Sequence, residues 1–205
     1  MCLALALGLG ACRIVSKERL AEIYEGEKKP ELSAETILNE GIRPHALKVA
    51  KASGEVLAAV EDDFDEACKL YGFRHSVTAF PCNFWIEVKG TIVKIDTESQ
   101  SGQAWILPDG VEADPSDEEA GTVVLLIGPA IDSMGARDGF PDLKYEQFND
   151  QTRFGAFGRE INRLISSDIR EKIKLEKGAK VDVVGVLATW DTPMGNAEIV
   201  PVAFR

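Results

Sequence analysis

The feature that most restricts how this chain can fold is a change of parity inside one extended run. From residue 84 the apolar positions alternate as Phe84, Ile86 and Val88; Gly90 then interrupts, and Val93 and Ile95 continue on the opposite parity. Period-two alternation marks a half-buried strand. A parity flip at a glycine is what a β-bulge produces, because one extra residue bends the strand and turns its later side chains to the other face. A second flip falls beside Gly185, where the apolar set passes from Val181 and Val183 to Val184 and Val186. Two strands that each change face suit a sheet curling round on itself, whereas a flat sandwich has no need of them.

The remaining elements fall into place around these two. Strands are expected at 84–95, 103–107, 122–127, 180–190 and 197–204. The third, apolar from Val123 onward, is expected to be buried on both faces. Pro201 restricts the last strand to an edge or a bulged position. Phe157, Ile161, Leu164, Ile165, Ile169 and Ile173 recur at helical spacing, so a helix over 156–173 separates the third strand from the fourth. Three strands, a helix and two strands predict an α+β fold. A helical segment (33–75) comes first, followed by a five-stranded OB-like antiparallel barrel (80–205) with the helix between strands 3 and 4. A plain antiparallel sandwich with one covering helix is the alternative. Within the helical segment one helix is expected from Ser33 to about Gly41, and a second from Pro44 to a stop at Gly72.

The N-terminus carries no charge before Arg13, and its apolar run is too short to cross a hydrocarbon core of about 30 Å. Leu9-Gly10-Ala11-Cys12 fits the pattern that precedes the acylated cysteine of bacterial lipoproteins: a branched apolar residue, two small ones, then the thiol. Residues 1–11 are therefore expected to be a lipoprotein signal, Cys12 the lipidation site, and 12–32, dense in charge, a tether. An acylated Cys12 holds the chain at a membrane through several fatty chains, whereas one alone binds only marginally. Of the four cysteines this leaves Cys68 and Cys82, either joined in one disulfide or kept as two buried thiols.

Composition narrows the chemistry further. With 23 Lys and Arg against 34 Asp and Glu, the net charge is −11, a field that repels phosphate backbones, so no nucleic-acid partner is expected. The only histidines, His45 and His75, are far apart and no C-x-x-C occurs, which speaks against a metal site. No G-x-S-x-G, G-x-G-x-x-G or P-loop pattern is present, so neither a catalytic residue nor a cofactor is expected. The acidic stretch Asp109 to Glu119 lacks the spacing of a calcium loop. Six residues are nominated as candidates for holding a ligand or partner. Arg137 and Asp138 lie in a glycine-rich loop, and the guanidinium fork suits a carboxylate or vicinal hydroxyls. Gln151 and Asn162 flank the helix and are placed to join the same network. Trp85 and Trp105, on neighbouring strands, offer a stacking platform.

Tyr71-Gly72, Pro81 with Asn83-Phe84, Gly90, Ile127-Gly128-Pro129, Arg137-Asp138, Gln151, Asn162 and Val200-Pro201-Val202 together resemble a bacterial family, the predicted periplasmic lipoproteins of unknown function. Cys82 departs from that family's usual tryptophan, Asp150 from its asparagine and Ser133 from a glycine. The resemblance implies a place outside the cytoplasmic membrane and a frequent genetic neighbourhood beside sugar-type ABC importers. The expected function is a lipid-anchored, non-enzymatic accessory protein of such an importer on the periplasmic side of a bacterial membrane. The alternative is a lipoprotein that binds a small carbohydrate or anion.

Overall fold

Two short strands, β1 (Lys51–Ala52) and β2 (Gly72–Phe73), and five longer ones share one sheet. The longer strands are β3 (Cys82–Asp96), β4 (Gln103–Pro108), β5 (Val123–Leu126), β6 (Lys180–Thr189) and β7 (Glu198–Phe204). The computed structural model describes residues 32–148 and 150–205. The expected signal, Cys12 and nearly all of the tether lie outside them. Residues 33–205 form one compact unit, with the helical segment and the sheet together.

The pairings run β3–β4–β5–β7–β6 and return to β3, a closed circuit of five strands. The expectation that all neighbours are antiparallel is corrected at one place: β5 and β7 run parallel, with Val124 opposite Glu198 and Leu125 opposite Ile199. Arithmetic requires it. Strand direction cannot alternate all the way round a ring with an odd number of strands. The parallel pair needs a long crossover, and the helix between β5 and β6 lies on it. The added strand β1 also pairs parallel to β3.

The bulges sit close to, but not on, the two glycines. Between β3 and β4 the register slips from Ile92–Ile106 to Lys94–Trp105, so Val93 is the extra residue. Gly90 itself is paired on both sides. It is glycine because a Cβ there would lie 2.2 Å from the Leu107 carbonyl oxygen. Between β6 and β7 the slip falls at Gly185, and the extra residue is Val202 on the partner strand, next to Pro201. The core fills the ring with Phe84, Ile86, Ile92, Ile106, Leu125 and Ile199, all fully buried.

Among the described residues, five α-helical segments and a 3-10 turn (Tyr145–Gln147) accompany the sheet. Helix α1 (34–49) runs through Ala34–Thr36, a π turn at Ile37–Ile42 and Arg43–Val49. It continues past Gly41, where a stop was expected. A Cβ at Gly41 would meet Phe140, so the residue serves close packing. The second expected helix is two, α2 (Ser53–Asp62) and α3 (Phe64–Tyr71). They separate at Asp63, whose extended backbone lets its carboxylate accept from the Glu66 amide as an N-cap. The short α4 (Gly135–Asp138) precedes α5 (Gln151–Lys172), which starts earlier than its apolar period suggests. Asp150 sets that start by accepting from the amides of Thr152 and Arg153. Helix α5 then buries a stripe containing Ile161, Ile165 and Ile169, each contributing about 1.5–3 kcal/mol relative to exposure. None of the helices among the described residues is long and apolar enough to cross a membrane.

Candidate functional site

Arg137 and Asp138 are neighbours in α4 and bind each other. The Arg137 Nε donates to Asp138 Oδ1 at 2.7 Å and its second nitrogen to Oδ2 at 3.0 Å. A third guanidinium nitrogen donates to the Phe154 carbonyl at 3.0 Å, and the cation lies 3.7 Å from the centre of the Phe154 ring. Both residues are buried. Asn162 serves the same loop from α5, its amide donating to the carbonyls of Ile131 and Ser133, while Ser166 donates to Gly128. These groups hold the 128–138 loop against α5, with the Arg137 fork turned inward onto Asp138 and Phe154. Gln151 stands apart, exposed in the first turn of α5.

The two nominated tryptophans do not form an open platform. Trp85 is buried, donates to the Gly139 carbonyl at 3.0 Å and is met edge-on by His45 of α1. Trp105 pairs opposite Lys94, whose ammonium lies 4.4 Å from the ring centre and is in turn held by Glu119. Both indoles belong to the packed body. Cys68 and Cys82 are joined in a disulfide linking α3 to the start of β3. It passes over Gly72, where a Cβ would lie 2.2 Å from Cys82 Sγ. The chain's three departures acquire roles here: Cys82 supplies the disulfide, Asp150 caps α5 as well as an asparagine would, and the Ser133 hydroxyl accepts from the Gly135 amide at the approach to α4.

Elsewhere, the described residues form a cleft of about 610 Å³ that none of the nominated residues lines. One wall is the start and inner face of α2, with Ser53, Gly54, Leu57 and Glu61. The floor holds Glu87 and Lys89 of β3, and the far wall comes from the 108–123 stretch and the 193–197 turn. Lys89 is shared between Glu87 at 3.0 Å and Asp182 at 3.6 Å, and Arg205 also pairs with Glu87. The hydrogen bond from Lys89 is the main cause holding the Glu87 carboxyl below its ordinary value. Asn196 fixes the far wall by donating to the Glu119 carbonyl and to Thr122 Oγ1. Leu57, Val60 and Val123 line the same cleft, so its lining mixes apolar and polar side chains. Among the described residues no cluster of three or more metal-ligating side chains occurs.

Sequence reasoning missed every residue of this cleft. The visible signals were slight: Ser53-Gly54 opening a helix, Glu87 and Lys89 two apart on one strand face, and Gly195-Asn196 in a turn.

The ring, its crossover helix and its bulged strands define an OB-type fold. An OB-fold protein from Thermotoga maritima, known from its crystal structure, matches with a TM-score of 0.61 at 16% identity, over 85% of this chain and 98% of its own. That likeness concerns the fold alone. The family model described as "Predicted periplasmic lipoprotein (DUF2291)" matches residues 2–205, and the chain belongs to that family. Its place is the periplasmic side of the membrane, where it is held as a lipoprotein. No protein of curated function matches it.

Proposed function

We propose that this lipoprotein is a non-enzymatic recognition module that serves a sugar-type ABC importer as an accessory. The observation that carries the reading is Trp190, 58% exposed where β6 ends, in the turn that also supplies Pro193, Gly195 and Asn196 to the cleft. Met194 beside it is fully exposed. The Thr192 hydroxyl ties this turn to the Val60 carbonyl of α2, so the exposed side chains stand on a fixed base. Large apolar side chains held in water on a rigid body are the usual anchors of a protein contact, and tryptophan is prominent among them. The importer itself is suggested by the family's genetic neighbourhood. Cys12 is the proposed lipid acceptor that would bring the module to the membrane surface. Purification from mild detergent extracts tests the reading: importer components are expected to accompany the wild type and to be lost with Trp190→Ala. Clean separation of the wild-type protein would remove it.

A second reading, a small-ligand lipoprotein for a carbohydrate or anion, is favoured by the cleft, whose volume falls within the range of small-molecule sites of about 300–1,000 Å³. A ligand that binds only the native state must raise its stability. A thermal-shift screen of sugars and small anions in which nothing moves the transition would remove this reading.

A further inference from the structure

We infer that the outer face of α5, with the aromatic turn that leads into it, rests on the anionic phospholipid surface of the membrane that holds this lipoprotein. The inference draws on the family's membrane anchoring and not on the partner or ligand readings above. No residue of α5 or of the 145–148 turn lines the cleft, and Trp190 and Met194 belong to neither.

The charge of the chain is unevenly placed. Residues 144–174 carry seven Lys and Arg against five Asp and Glu, a net +2, whereas the remainder carries 16 against 29, a net −13. Most acids of the positive stretch are already engaged. Asp168 pairs with Arg43 of α1 and with Lys172, Glu160 pairs with Arg163, and Asp150 accepts from the first-turn amides of α5. Lys144, Arg153, Arg159 and Arg170 make no ion pair with any described residue, against the unpaired Glu146 and Glu171. Arg153, Arg163 and Arg170, with Ala156 and Ser167 between them, recur at helical spacing and are exposed, and Arg159 is exposed beside them. They form one outward line on a helix of 22 residues, about 33 Å long. Ile161, Ile165 and Ile169 bury the opposite face.

Aromatic rings gather where this line begins. The ring centres of Tyr145 and Phe148 lie 5.7 and 5.2 Å from that of Phe154, and Phe148 is 5.0 Å from Phe157. Phe154 is buried, but Tyr145 is 42% exposed and Phe148 and Phe157 are partly so. Rings left partly in water beside cations suit the headgroup level of a bilayer, which offers phosphates to the charges and a less polar layer to the rings. The route of the chain agrees. The first turn of α1, where the chain coming from the proposed acceptor Cys12 enters the described fold, packs against α5.

The test uses the full-length acylated lipoprotein in vesicles of phosphatidylglycerol and phosphatidylcholine. Ala156→Cys carries an environment-sensitive dye on the outward line of α5, and Asp62→Cys carries it on the exposed end of α2. Doxyl-labelled lipids are expected to quench the dye at 156 and to leave the dye at 62 unaffected. Each cation near an anionic surface favours contact about fivefold. Adding Arg153→Gln, Arg159→Gln and Arg170→Gln together should therefore lower the ratio of contacting to free molecules about a hundredfold at low salt. These side chains are exposed, and a matched urea midpoint checks that the variant folds. High salt reads the same attraction on a chain that keeps its arginines and should likewise weaken the quenching at 156. No quenching at 156, or equal quenching at both positions, would overturn the proposal. Quenching at 156 that survives both the triple change and high salt would overturn it too, because the contact would then owe nothing to the line of cations.

Discussion

Replacing Arg137 by alanine distinguishes bracing from recognition. In the folded chain its guanidinium makes two hydrogen bonds to Asp138, one to the Phe154 carbonyl, and lies against the Phe154 ring, with both members of the pair buried. Truncation leaves the Asp138 carboxylate, 5% exposed, without its counter-charge. Removing one partner of a buried pair costs about 3–5 kcal/mol, since the remaining charge keeps its desolvation penalty and loses its attraction. For a unit of this size that corresponds to a fall in Tm of about 6–20 °C. Replacing both residues, as Arg137→Met with Asp138→Leu, removes the stranded charge and is expected to cost far less than the single change. Urea unfolding of wild type, Arg137→Ala and the double variant measures the difference. If Arg137→Ala unfolds like the wild type, the bracing argument fails. If it also loses partner or ligand binding, Arg137 returns to the recognition surface.

Three further outcomes follow from the same geometry. Reduction of the Cys68–Cys82 disulfide, which closes a loop across a sequence separation of 14, should destabilise by about 3 kcal/mol through the restored freedom of the unfolded chain; calorimetry with and without reductant reads it, and coincident transitions would refute it. Gly90→Ala drives a Cβ into the Leu107 carbonyl and should cost about 3 kcal/mol or prevent ring closure, whereas a soluble variant with wild-type stability would contradict the close approach. His45 and His75 are both held below their ordinary value by burial, so on acidification the unfolded chain takes up protons first. Stability conferred by the neutral rings is present at pH 7 and declines as pH falls through the ordinary value of 6.5. A His45→Gln, His75→Gln double variant should show a flatter profile over that window, and an unchanged profile would refute the assignment.

The strands were legible because each leaves an apolar signature: Phe84, Ile86 and Val88 alternate along β3, and β5 is a short unbroken apolar run buried at every position. The bulges were legible only to within a few residues. A parity flip reports that an extra residue exists, and the eye places it at the glycine, yet in β3 the glycine answers the Leu107 carbonyl and the bulge falls at Val93. The start of α5 was hidden for a different reason: its first turn, from Gln151, contains no apolar repeat before Phe154, and only the capping carboxylate of Asp150 announces it. The continuity of α1 through Gly41 and Pro44 ran against local propensity, because packing against Phe140 and the π turn decide it.

The candidate site was less legible than the fold, and the reason is physical. Polar residues in glycine-rich loops attract attention because so many sites are built from them. Here Arg137, Asp138 and Asn162 are polar because a buried loop needs its carbonyls and charges satisfied. A cleft has no such signature. This one is assembled from stretches 52–61, 87–89, 108–123 and 193–197, and its width depends on where α2 lies. Buried Val56 and Val60 seat α2 on the core, and two small contacts add to them: Lys51 and Ala52 pair in parallel with Ile86 and Glu87, and Thr192 reaches the Val60 carbonyl. A two-residue strand, exposed and without periodicity, gives a sequence reader nothing to find. It nevertheless brings the start of α2 to the strand that carries Glu87 and Lys89, because Ala52 pairs directly with Glu87.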